Sequence, residues 1–167
     1  MTALVMMVAL VCGAALQAVL PTWRGVGEAT APVLMGVVLY YALTHGRPIM
    51  LAAAIVAGLL QDSLGLVPLG YSSFCFCAAG LAARKFREVI FPREIVTHML
   101  FGALVSGEAT LGLFLLLRKD GLVALRPAWV AVKVLGAMIL GMVIVPLEFR
   151  LLGSMDRMLG NVPWRGR

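Results

Sequence analysis

Charge is scarce in this chain. Only 13% of its 167 residues are Asp, Glu, Lys or Arg, whereas a soluble domain carries about a quarter. The hydrophobic share is 62%, and mean hydropathy is +0.99. That shortage excludes a water-soluble fold and leaves an all-α integral membrane protein, a bundle of apolar helices in one membrane domain. Histidine and cysteine are scarce too, at two and three residues. Cys75 and Cys77 stand two apart, so on a helix they point about 200° apart and cannot share a metal. With Cys12 they read as small apolar fillers, with no disulfide framework and no zinc spacing. His98 and Glu108 are ten residues apart on one run, about 15 Å along a helix, too far to ligate one ion. No nucleophile with its base, no phosphate-cradling loop and no carboxylate pair occurs. The expectation is a chain without cofactor, metal or catalysis.

The net charge of +6 raises nucleic acid as a partner, but the basic residues lie between apolar runs. There they set topology and meet anionic lipid, so the bilayer is expected as partner and nucleic acid is not. Six spans are predicted, over 3–20, 30–44, 48–62, 68–83, 95–117 and 128–147. The first has no Lys or Arg before it and reads as a retained helix rather than a signal peptide. Trp23 follows it as an interfacial aromatic. The three spans between 30 and 83 are short for a bilayer that wants about 20 residues. Beyond Pro146, residues 148–159 are predicted as an amphipathic tail on the membrane surface, with Leu151, Leu152, Met155, Met158 and Leu159 on one stripe.

Charge asymmetry then orients the bundle. Nine basic residues (Arg47, Arg84, Lys85, Arg87, Arg93, Arg150, Arg157, Arg165, Arg167) fall on one side, and four (Arg24, Arg118, Lys119, Arg126) on the other. The positive-inside rule predicts an inner-membrane, multi-pass protein with both termini cytoplasmic.

Polar residues inside apolar runs are the candidates for function. From Gly58 to Gly70 the chain packs one carboxylate, Asp62, with Pro68 and three glycines, so the backbone is expected to turn there. Asp62 has two readings, capping the turn through backbone N–H groups or facing a partner or ligand. As a cap it would be replaceable by Asn but not by Ala. Tyr40 and Tyr41 suit an interface belt or a polar contact inside the bundle. Glu108 and Lys133 are intramembrane charges on consecutive spans, at depths that permit a pair. Cβ directions argue against pairing, so Lys133 is expected to snorkel outward. Glu108 is too deep to do so and is expected to be protonated or hydrogen-bonded within the bundle. His98 reads as a surface or packing residue. Gly102 with Ser106, and Ala103 with Gly107, mark the fifth span as a packing centre.

Pro32, then Tyr40-Tyr41-Ala42-Leu43, a basic turn, Gly58-Leu59-x-x-Asp62 and Pro68-Leu69-Gly70 resemble the MreD family of bacterial rod shape-determining membrane proteins. The resemblance implies a fold similar to the substrate-binding subunits of energy-coupling-factor vitamin transporters. It implies a non-enzymatic scaffold that binds MreC, a single-span coiled-coil protein, and acts indirectly with the actin homologue MreB and the cell-wall synthases. Lateral peptidoglycan synthesis and rod shape would be its output. Gly58, Asp62, Pro68 and Gly70 carry over from the family motif. The alternative is a small-solute-binding subunit of a vitamin-type transporter, with Asp62, Tyr40 or Tyr41 in a pocket near the outer face.

Overall fold

The computed structural model describes residues 2–20, 30–65, 67–86, 95–121 and 127–158. Six helices account for nearly all of them: α1 (Thr2–Val19), α2 (Val33–Thr44), α3 (Arg47–Gly65), α4 (Tyr71–Lys85), α5 (Ile95–Lys119) and α6 (Pro127–Met158). Four of these, α1, α3, α5 and α6, are long and apolar enough to cross a membrane. The described part of the molecule is all-helical, as composition required.

Helix α2 organises the bundle. It touches each of the other five helices, while α1, α3, α4, α5 and α6 neighbour one another in that order and close back on α1. Every residue from Val33 to Ala42 is buried. A helix apolar on all sides belongs in an interior, and α2 is apolar throughout. Its 12 residues span only about 18 Å, against about 30 Å of hydrocarbon. That shortness is harmless because both ends meet protein rather than lipid.

Prolines and glycines set the boundaries. Pro32 occupies the N-cap position of α2, which moves its start from the expected 30 to 33. Pro48 lies in the first turn of α3, where a missing N–H leaves no bond unmade. Gly70 has φ +104°, a conformation glycine adopts without strain, and α4 therefore begins at Tyr71 instead of 68. Between lipid-facing helices there is little hydrophobic drive, so close packing must hold them together. Gly58 supplies it between α3 and α4: a Cβ there would run into the backbone of Ser73. Gly102 and Gly141 do the same between α5 and α6, each backed against the other's carbonyl. Helix five is thus a packing centre within the fold.

One expectation is corrected. Residues 148–158 are no separate surface helix. Helix α6 runs unbroken for 32 residues through Pro146. On its inner side Val145, Glu148, Leu152 and Asp156 are buried, while Leu151 and Met158 face outward. The stripe of leucines and methionines in the sequence is not the contact stripe. The real contact stripe includes two carboxyls, because polar partners on other helices are waiting for at least one of them. Leu159 and Trp23, and Arg24, Arg87, Arg93, Arg126, Arg165 and Arg167 of the charge count, lie outside the described residues.

Candidate functional site

Polar side chains gather at the two ends of the bundle. At the end where α3 passes to α4, Asp62 lies inside the last turns of α3 and is 1% exposed. Its Oδ2 accepts the Gly70 N–H at 2.7 Å, and its Oδ1 accepts the Ser72 N–H at 3.0 Å. The first N–H groups of a helix have no partner within it. Asp62 satisfies them for α4 from the preceding helix, across a turn held by Val67 N–H on Asp62 O. Pro68 is exposed in that turn, and Gly70 supplies its left-handed residue. Both carboxylate oxygens are engaged, which corrects the expectation that Asn would accept the same bonds: an amide offers one acceptor. Beside it, Gln17 of α1 donates to Gln61 at 2.6 Å and accepts from Leu34 N–H at 3.4 Å, tying α1 to α2 and α3.

At the opposite end Tyr40 and Tyr41 are buried, 2% and 0% exposed. The Tyr40 hydroxyl donates to Asp156 Oδ2 at 2.6 Å. Thr44 Oγ1 gives its proton to Tyr40 O, so its 2.8 Å bond with His45 Nδ1 must be donated by that nitrogen. His45 Nε2 is then turned to Asp156 Oδ2 at 4.0 Å, and Arg84 reaches the His45 carbonyl from α4 at 2.7 Å. Aromatic rings close the cluster: Tyr40 meets Tyr41 and Phe149 edge to face, and Phe149 meets His98. Of the two readings of His98, surface or packing, the structure shows packing, against the Phe149 ring. Thus the α2 end of the bundle is joined to α6 by a side-chain bond across 116 residues and to α4 by an Arg84 side-chain bond to the His45 carbonyl across 39.

The structure separates Asp62 from Tyr40 and Tyr41. Asp62 is 15 residues beyond Arg47 on α3, about 22 Å along the helix from the tyrosine end. They cannot line one pocket. Glu108 and Lys133 are both exposed and form no ion pair with each other. Glu108 therefore does not reach into the bundle, contrary to expectation; it stands on the outer side of α5.

Sequence reasoning missed four buried side chains of the two ends, Gln17, His45, Glu148 and Asp156. Glu148 is the least expected. Its carboxyl fills the space above Gly36 of α2, and neither oxygen has a hydrogen-bond partner. A signal existed: Gly141, Val145, Glu148, Leu152 and Asp156 recur at the three- and four-residue spacing of one helix face. Along α2, Gly36 and Tyr40 repeat that spacing opposite them.

No three His, Cys, Asp or Glu residues among those described are grouped to hold a metal. The polar residues instead bond helix to helix. Comparison with curated proteins and with solved structures returns no significant match. A family model described as rod shape-determining protein MreD matches residues 1–160. That stretch takes in all six helices, the Asp62 turn and the Tyr40–Asp156 cluster, and by it the chain belongs to the MreD family.

Proposed function

We propose that this protein is a non-enzymatic scaffold of the cell-elongation machinery, holding a single-span MreC-like partner in the membrane and so helping to direct lateral peptidoglycan synthesis. Family membership implies a role in rod shape determination within the MreBCD machinery. The observation carrying the finer reading is how the interior polar groups are used. Asp62, Gln17, Tyr40, His45 and Asp156 spend their bonds locking helices together. A solute-binding subunit would need polar groups converging on a cavity. A groove of about 410 Å³ among the described residues, between α1 and α3, is lined by Thr2, Ala3, Met6, Pro48, Ile49 and Ala52, without a charge. A rigid bundle that offers its outer faces suits assembly.

Orientation is part of the proposal. Arg47, Arg84, Lys85, Arg150 and Arg157 lie at the Tyr40–Asp156 end, and Arg118 and Lys119 at the Asp62 end. The positive-inside rule then puts the first end in the cytoplasm, within reach of an MreB-like filament. The likeness to energy-coupling-factor substrate subunits belongs to the same proposal and rests on the family resemblance. The test is depletion in a rod-shaped host, with co-purification of the MreC-like partner. Rounded cells and recovery of the partner are expected. Cells that keep their shape while the protein co-purifies with a transporter ATPase would overturn the reading.

A further inference from the structure

Glu108 sits where a carboxylate should not be. It is the fourteenth of 25 residues in α5, so about 20 Å of helix precede it and about 17 Å follow. Neither end is within reach of so short a side chain, and ionisable groups this deep are costly unless paired. It is exposed nonetheless, on a side of α5 that also exposes Leu100, Leu104, Leu111 and Leu115.

Among the described residues none forms a hydrogen bond or ion pair with it. Helix α6 packs on Gly102, Ser106 and Gly107, and Glu108 is turned about 100° beyond Gly107, away from it. Lys133 is exposed on α6 and forms no ion pair with Glu108. On the other flank, Gly112 faces Cys75 and the Phe101 ring meets Phe86, which sets α5 against α4. By that register Glu108 lies level with Ala78 and Ala79 and one helical turn from the Cys75 thiol, and it forms no hydrogen bond with any of them. The Thr110 hydroxyl is already bonded to Ser106 O.

We propose that the α5 face around Glu108 receives the membrane-spanning helix of another chain, one that presents a Lys, Arg or other N–H donor at mid-depth. Charge complementarity selects this occupant. A second copy related by a two-fold axis along α5 would set Glu108 against Glu108, which is repulsive at low dielectric, and would leave Lys133 outside. The leucines supply the van der Waals contact, and the small alanines of α4 leave room for a close approach. The inference rests on the scaffold reading and assigns it a surface.

Photo-crosslinking in membranes that contain the co-expressed MreC-like partner tests it. The crosslinker is placed at Leu104, Leu111 or Leu115, and for comparison at Leu135, Ile139 or Val143, which are exposed on α6. Crosslinks to the partner's helix are expected from α5. Glu108→Leu should cut them about tenfold or more, the effect of losing a bond to a charged group. It should leave the melting temperature unchanged, and Glu108→Gln should retain more than the leucine variant. Crosslinks confined to α6, or α5 crosslinks indifferent to Glu108→Leu, would refute the site while leaving the scaffold reading intact. Crosslinks from α5 to a second copy would refute the occupant. No partner crosslink from either helix would overturn both readings together.

Discussion

Replacing Asp62 with asparagine changes one atom of the side chain and breaks one of two bonds. Oδ2 and Oδ1 accept from Gly70 and Ser72 at 2.7 and 3.0 Å, and the residue is sealed from solvent. An amide keeps one acceptor and points its NH2 at the second N–H, so a buried donor is left without a partner. That costs about 1–3 kcal/mol. Alanine orphans both N–H groups and should cost roughly 2–6 kcal/mol. For a chain of this size about 1 kcal/mol lowers the melting temperature by about 2–4 °C. The asparagine variant should therefore melt a few degrees low, and the alanine variant about twice as far below the parent. A thiol-reactive fluorophore can follow unfolding of the purified protein in detergent, because Cys75 is buried. Cys12 is exposed and Cys77 half-buried, so the series is built on the Cys12→Ser, Cys77→Ser background. An asparagine variant melting within about 1 °C of its parent would refute the two-bond account and reduce Asp62 to a single contact.

Gly58→Ala should separate α3 from α4, since the new methyl meets the Ser73 backbone; a loss of about 1–3 kcal/mol is expected in the same thermal assay. Glu148→Leu should be neutral or should raise the melting temperature, because it removes two buried oxygens that have no partner. A fall would mean that Glu148 holds a contact through water or another chain. A reporter active only outside the cytoplasm should be silent when fused after Arg167 and active when inserted beside Gly121, in the turn that follows α5.

Much of the architecture was legible because it follows from local composition. Pro48 and Gly70 mark helix edges whatever surrounds them, and uninterrupted apolar stretches can satisfy their backbone in lipid only as helices. Glu108 was recognisable as an oddity for the same reason, being a lone carboxyl in an apolar run. Which way it faces was not legible. Nearly every residue around it is apolar, so the sequence has no contrast between an inner and a lipid-facing side. Glu148 and Asp156 were not singled out because polar residues near a helix end usually face water.

The sequence by itself determined that this is a helical membrane protein, where its helices begin and end to within a few residues except at the end of α6, which runs to Met158 rather than 147, and which end carries the positive charge. Hydropathy and backbone chemistry act over a few residues, and a linear reading captures them. Tertiary structure alone decided that α2 lies at the centre, that Asp62 caps a helix other than its own, and that Tyr40 finds Asp156 across 116 positions of chain. It also turned Glu108 outward. In a bilayer every helix face is apolar, so packing shape and a few buried hydrogen bonds choose the neighbours, and those contacts exist only once the helices have met.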